Sequence, residues 1–438
     1  MPSGKQDRGL CELYQQDPER ADKLVFGREA HKDRRGFLRG AGLATMGAML
    51  GATIPFHRNF PAGLIPAAMA DDGEMALFKT KDGLTLLNDR PINAETPPHL
   101  LDDPVTPNER HFVRNNGIVP DIAYEMDASD WRLKIDGEVN TPLEFSLEEL
   151  KSKFENVTLK LQIECGGNGR AAFNPPARGN QWTLGAIGNA EWTGVRYADV
   201  LKAAGVKDSA IYTAHYSLDG HLSGDPEKLP ISRGVPLAKA MEPHSIIAFA
   251  MNGEPIPALH GFPVRTICPG WAGSTSQKWL QRIELRNVVH DGPKMTGTSY
   301  RVPYYPVAPG TKVDKADFKI MEAMPVKSLI TTPQTNQTIA ERRLALRGHA
   351  WAGDNSVSRV DISHDFGATW TQADLAPPPN PYSWQTWSAE VTFPEKGYYE
   401  VWARATDDKG NSQPFAINWN PKGYLNNSMH RIAVTVSA

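Results

Sequence analysis

The sequence predicts an α+β protein in two parts: a mixed α/β region over residues 96–320, then an antiparallel β-sandwich of immunoglobulin-like type over residues 321–438. Three observations predict it. In the first part, short capped helices alternate with strands that run into glycine turns. In the second, apolar and polar residues alternate with period two, broken by turn residues roughly every 8 to 12 positions. Throughout, 35 prolines and 37 glycines in 438 residues punctuate the chain too often for long helices.

Taken in order, residues 1–70 read as an export signal of the twin-arginine type. Arg34 and Arg35 precede Phe37 and Leu38, an apolar run follows from Ala41 to Phe56, and Ala68-Met69-Ala70 supplies a small-x-small cleavage pattern. That run is 16 residues long and carries Gly42, Gly47 and Gly51, which is short for a membrane span of about 20 apolar residues. The expectation is a mature chain that starts near Asp71, reaches the periplasm already folded, and has no membrane span. Residues 71–95 read as an irregular lead-in. Ser146 and Glu149 then form a capping box at the head of a short helix, and Tyr197 to Ala204 reads as a second helix stopped by Gly205. Between them the run from Leu159 to Gly167 reads as a strand entering a glycine turn, a place where a reactive group is both fixed and exposed. Beyond a boundary within Met321 to Pro333, Val360 and Ile362 alternate with polar residues up to the turn Asp365-Phe366-Gly367. Tyr399, Val401, Ala403 and Ala405 do the same up to Asp408-Lys409-Gly410.

Composition narrows the function classes. A net charge of -3 gives no case for nucleic acid, so any anion site must be a local cluster of basic residues. Of three cysteines, Cys11 falls in the export signal. Cys165 and Cys268 sit in no CxxC or CxxCH motif, which gives no case for a zinc, iron–sulfur or haem attachment site.

Chemistry concentrates in four blocks. Cys165, in Glu164-Cys165-Gly166-Gly167-Asn168-Gly169-Arg170, has three readings on residue type alone: a buried structural thiol, a nucleophile, or a thiolate ligand to a soft or high-valent metal. His111 to Asn116, His260 to Arg265 and Ser276 to Leu280 add arginines, histidines, amides and a lysine, donors suited to a phosphate-bearing, hydrogen-bond-rich cofactor.

In their order these blocks resemble the sulfite oxidase family of molybdopterin enzymes. Phe112 to Asn116 (FVRNN) resembles the family's FxRN(H) motif, and the block around Cys165 resembles its C-x-G-N-x-R motif. WTGVRYADVL from Trp192, HGFPVR from His260 and SQKWL from Ser276 match further family blocks, and the likeness runs over residues 97–438. It implies a molybdopterin-binding domain followed by a dimerisation sandwich, with molybdenum–molybdopterin as cofactor. Cys165 would be the metal ligand. Arg114, Asn115, Asn116, Asp219, His260, Arg265, Ser276, Gln277 and Lys278 would hold the cofactor, while Arg114, Arg170, Trp182 and Tyr300 would face the substrate. The implied reaction is oxygen-atom transfer to sulfite, with electrons leaving to an external c-type cytochrome and the chain working as a homodimer. Departures from the pattern are Asn116 where many members have histidine, Gly169 where some have arginine, and Asn380 near the place where some members bring an arginine from the C-terminal domain. Cys268 has no implied role and reads as a core thiol. Two alternatives stand beside this reading: a sulfane dehydrogenase subunit of a thiosulfate-oxidising complex, and a non-catalytic exported scaffold.

Overall fold

Two main sheets, smaller two- and three-stranded ones and a few short helices build the first domain. The larger sheet has five strands: Asn156–Glu164 pairs with Ile187–Arg196, which pairs with Ile246–Met251, and both Glu254–Pro255 and Arg265–Ile267 pair with that last strand. The other sheet runs Leu143–Phe145, Leu133–Gly137, Leu280–Arg286, Tyr212–Ser217, with a parallel central pair. This computed structural model describes residues 72–437; the segment read as an export signal lies outside them. Among the described residues no helix is long and apolar enough to cross a membrane.

Helix Tyr197–Ala204 forms because its apolar residues recur at helical spacing: Tyr197, Val200, Leu201 and Ala204 are all buried. They pack against Leu133, Ile135 and Ile283 in the core shared with the four-stranded sheet. Gly205 ends the helix at φ +69°, a conformation open to glycine without strain. The helix Leu147–Lys153 carries the full capping box. Ser146 Oγ accepts from the Glu149 N–H at 3.2 Å, and the Glu149 carboxylate accepts from the Ser146 N–H at 2.9 Å.

Strand Asn156–Glu164 passes from an exposed beginning to four buried residues at its end. It therefore delivers Cys165 into the interior, where its N–H donates to the Ala186 carbonyl at 2.9 Å. The turn that follows needs glycine at position 169: φ is +87°, and a Cβ there would stand 2.6 Å from the Asn426 side-chain amide.

Residues 71–95 are not irregular. They contain the helix Asp72–Phe78 and the strands Thr85–Asp89 and Ile92–Glu95. The second strand is wholly buried and pairs with Val113–Arg114, setting Asn93 opposite Arg114. Four residues are too few to show a period, and the partner lies far along the chain, so sequence pattern does not reveal the pairing.

In the C-terminal sandwich one sheet runs Lys327–Thr332, Arg343–Trp351, Gln385–Thr392, Asp374–Leu375. The facing sheet runs Gln337–Ile339, His430–Val436, Gly397–Asp407, Val357–Ser363, Thr371–Gln372. Ile330, Leu346 and Trp387 from the first meet Val360, Ile362, Val401, Ala403 and Ala405 from the second. One pairing departs from the antiparallel expectation: the edge strand Gln337–Ile339 lies parallel to His430–Val436. The sandwich also grips the first domain. Glu164, next to Cys165, accepts from Lys327 Nζ at 2.5 Å and from Trp351 Nε1 at 2.8 Å, and its side chain is wholly buried.

Candidate cofactor and active site

A cavity lies at the end of strand Asn156–Glu164. Ile163 and Cys165 reach it from the strand end, Arg114 and Asn116 from the segment after the Ile92–Glu95 pairing, His260 and Arg265 from the HGFPVR block, and Ser276, Gln277 and Lys278 from the SQKWL block. Asp219 and Tyr300 line it too, with His111, Phe112 and Ser274. Arg114 Nη2 donates to Asn116 Oδ1 at 2.7 Å and to the Tyr300 hydroxyl at 3.2 Å, and that hydroxyl donates in turn to Asn116 Oδ1 at 3.2 Å. Arg114 Nη1 donates to the Asn115 carbonyl. Lys278 Nζ is held by Asn115 Oδ1 and by the Leu259 carbonyl. Arg265 spans the His260 and Ser276 carbonyls at 2.8 Å each. Gln277 Nε2 donates to Ser217 Oγ at 2.8 Å, which donates to Asp219 Oδ1 at 2.5 Å.

Burial shapes the charge of the cavity. It pushes the Asp219 carboxyl up to about 6, against the opposing hydrogen bond from Ser217 and the attraction of Lys278. It pushes His111 down to about 3, with Lys81 adding repulsion, and holds His260 well below its usual range for the same reasons. Both imidazoles are therefore neutral at pH 7. Burial lowers Lys278 as well, with Arg265 next in weight. For Arg114 burial also pulls downward, but Tyr300, Cys165 and Tyr424 more than offset it and hold the guanidinium above its usual value. Among the described residues neither Arg114 nor Arg265 makes an ion pair.

The donor set fits a polar, phosphate-bearing cofactor. His111 Nε2, Arg265 Nε, Ser274 Oγ and Gln277 Oε1, all on residues that line the cavity, are buried with no hydrogen-bond partner, as is Asn115 Nδ2 beside it. Buried polar atoms are nearly always satisfied, so these, unpaired among the described residues, await a partner beyond them. No three His, Cys, Asp or Glu among the described residues converge to hold a metal ion. A metal here would take one thiolate from the chain, and the rest of its coordination shell from a bound organic group.

Every residue expected to hold the cofactor lines the cavity, apart from Asn115, which is fully buried and reaches Lys278 from behind. Two residues expected beside the substrate do not line it. Trp182 is fully buried and packs edge-on against Phe112 at 6.4 Å, so Phe112 forms the wall and the indole backs it. Arg170 is taken up by the Lys422 and Asn180 carbonyls at 3.1 and 3.0 Å and stacks over Tyr424 at 4.9 Å. Asn380 has no place here either, since its side-chain amide donates to the Lys160 carbonyl. The cation that the sandwich brings toward Arg170 is Lys422, whose amine is lowered by burial and then by Arg170, Lys294 and Arg178. Sequence reasoning also missed Lys81. It contacts His260 Nε2 and the Asn108 carbonyl at 2.5 Å each from the segment read as irregular, and burial lowers its amine to about 7 against the pull of Glu109. Cys268 is a core thiol, pushed up to about 12 by burial.

A buried, basic, hydrogen-bond-rich cavity with one thiol in its wall belongs to an enzyme that carries an anionic organic cofactor. Residues 117–294 match the oxidoreductase molybdopterin binding domain, and residues 318–437 match the Mo-co oxidoreductase dimerisation domain. The chain is 34% identical to mitochondrial sulfite oxidase of Rattus norvegicus over 370 residues, covering 81% of itself and 66% of the rat chain. It is 33% identical to sulfite oxidase of Gallus gallus over 361 residues, covering 80% of itself and 77% of the chicken chain. It thus spans just under two thirds of the rat protein's length. In structure it resembles the sulfane dehydrogenase SoxCD of Paracoccus pantotrophus, with a TM-score of 0.67 and 26% identity over 89% of this chain and 98% of that one. The chain belongs to the sulfite oxidase family of molybdopterin oxidoreductases, and its cofactor is molybdenum–molybdopterin.

Proposed function

We propose that this enzyme oxidises sulfite to sulfate in the periplasm, as a homodimer, and passes the two electrons to an external c-type cytochrome. The observation that carries the reading is Arg114: a cation without a carboxylate partner among the described residues, hydrogen-bonded to Tyr300, in a cavity whose wall contains Cys165. In this reading the Cys165 thiolate ligates the molybdenum. The neutral His260, with Arg265, Ser276, Gln277, Lys278 and Asn115, would hold the pterin and its phosphate, and Arg265 Nε, Gln277 Oε1 and Asn115 Nδ2 are unpaired among the described residues. When bound, the cofactor supplies two-electron oxygen-atom transfer. The chain supplies placement and charge. Arg114 binds the anion through its planar fork, and Tyr300 and Asn116 fix the orientation of that fork. Arg170 and Lys422 draw the anion inward from the domain junction. Burial of the cavity excludes water, so each of these donors acts in a low dielectric.

The likeness to a sulfane dehydrogenase favours a second reading, in which the reduced sulfur is a sulfane atom on a carrier. A steady-state assay separates the two. Purified protein, with molybdenum and pterin measured on the same sample, is given sulfite with ferricyanide and then with cytochrome c. Sulfite-dependent reduction of both acceptors is the expected result. Molybdenum-loaded protein that ignores sulfite overturns the substrate, and protein that takes up neither metal nor pterin returns the chain to the scaffold reading.

A further inference from the structure

Tyr300 is held by groups that the proposed reaction does not otherwise use. Its backbone stands at φ +52°, and Lys294, just upstream, stands at φ +72°; both are strained for side-chain-bearing residues. The segment between them is tied down on several sides. Arg301 donates twice to the Met295 carbonyl, at 3.1 and 2.9 Å. Arg233 Nη1 donates to the Lys294 carbonyl at 3.1 Å. The Tyr424 hydroxyl accepts from the Tyr300 N–H at 3.3 Å. The Tyr300 ring is held as well: the Arg233 guanidinium lies 5.1 Å from its centroid, and the Tyr424 ring stacks on it at 5.8 Å with 16° between planes.

Arg233 is the unusual member. It is fully buried, and among the described residues it makes no ion pair and its Nε and Nη2 have no hydrogen-bond partner. Its charged neighbours of opposite tendency are phenols, Tyr300, Tyr212 and Tyr424, rather than carboxylates. A buried guanidinium without a carboxylate is unfavourable, and packing alone would be better served by an apolar side chain. Its position, against the ring of a residue that lines the cavity, gives the charge a purpose.

We infer that Arg233 and Tyr424 are positioning residues that clamp the Tyr300 ring, one from the molybdopterin domain and one from the sandwich, so that the Tyr300 hydroxyl meets Arg114 and Asn116 and the cavity gains positive potential for an oxyanion. This rests on the reading of Tyr300 as a substrate-pocket residue. It makes the sandwich a contributor to the active site as well as a dimerisation module, since without Tyr424 the clamp has one jaw.

The test uses the full, cofactor-loaded enzyme with Arg233→Met, Arg233→Lys and Tyr424→Leu. Arg233→Met is expected to raise the sulfite KM about tenfold with kcat within about threefold, and Arg233→Lys to recover part of the loss. In a Tyr300→Phe background, Arg233→Met should have a smaller effect, because the hydroxyl that the clamp positions is gone and only the charge of Arg233 is left to lose; the two changes should be non-additive by about fivefold. Strictly additive effects would overturn the clamp. Hydrogen exchange over residues 294–301 gives a readout that needs no substrate: it should quicken about tenfold in Arg233→Met and in Tyr424→Leu. If exchange and KM both stay at wild-type values, the inference is wrong. If molybdenum-loaded wild-type protein leaves sulfite untouched while exchange still quickens in the variants, the clamp stands and the substrate assignment fails. Should Arg233→Met not fold, Tyr424→Leu carries the same two measurements to the same decision.

Discussion

Buried cations occupy two regions of this molecule in two different ways. At the seam between the domains two buried lysines are matched: Lys327 with Glu164 at 2.5 Å, and Lys239 with Glu242 at 2.6 Å and Asp354 at 2.9 Å. The carboxylates there are further satisfied by indole donors, Trp351 for Glu164 and Trp271 for Asp354. Around the cavity, Arg114, Arg233 and Arg265 are bonded to carbonyls, an amide and a hydroxyl, and none has a carboxylate in salt-bridge range among the described residues. A matched buried pair is electrostatically complete and holds two domains together. An unmatched buried cation needs an anion from outside the chain, and here the cofactor phosphate and the substrate are the anions on offer. The seam is architecture and the cavity is chemistry, and substitutions should separate the two.

The sharpest separation is expected at Cys165. Cys165→Ser should fold with nearly unchanged thermal stability yet lose sulfite-dependent acceptor reduction by about 10³ or more; turnover within tenfold of wild type would remove Cys165 from the metal. Lys327→Met should do the reverse at the seam. Stranding the buried Glu164 carboxylate should cost about 3 kcal/mol in denaturant unfolding, with most of that restored in the Lys327→Met/Glu164→Gln double variant. If the single substitution left stability unaltered, the matched pair would not be what joins the domains. Arg114→Ala should raise the sulfite KM about thirtyfold, measured at saturating acceptor, without lowering stability, because it removes an uncompensated charge. A loss of stability as large as that of Lys327→Met would place Arg114 with the architecture.

The smallest effect is in pH. Burial lowers His111 to about 3, and His349 and His430 in the sandwich to about 4. In the unfolded chain each would take up a proton near its ordinary value of about 6.5. The unfolded state therefore binds more protons than the folded one as pH falls below that value. The stability these neutral imidazoles contribute is full above about pH 6.5 and is lost as pH drops toward 4 and below. The melting temperature should fall steadily across that window. A melting temperature that stayed flat from pH 7 to pH 4 would mean the histidines are not buried in neutral form.

What the sequence showed and what it hid divide along similar lines. The cofactor side of the cavity comes from contiguous blocks, FVRNN, ECGGNGR, HGFPVR and SQKWL, so their resemblance to family motifs carried most of it. The capping box at Ser146 and the glycine stop at Gly205 were legible because their physics is local. Lys81, Arg233, Lys422 and Tyr424 were not, since each is a single residue in an ordinary context that acquires its role by folding against a distant segment. Asn380 was read as lying near the place of a family arginine that has no clear match here, and sequence distance to an approximate position is a poor guide across a sandwich whose strands return in non-sequential order. Trp182 was expected at the substrate, but the ring that reaches the cavity is Phe112, and no one-dimensional pattern says which of two aromatic residues packed edge to face is in front.

Binding of the Cys165 sulfur to a pterin-held molybdenum atom is the central claim, and molybdenum-edge X-ray absorption tests it most directly. Wild-type enzyme and the Cys165→Ser variant, each loaded with metal and pterin, are compared for sulfur neighbours around the metal. The variant is expected to lose one sulfur neighbour while the pterin sulfurs remain. The same number of sulfur neighbours in both would contradict the claim.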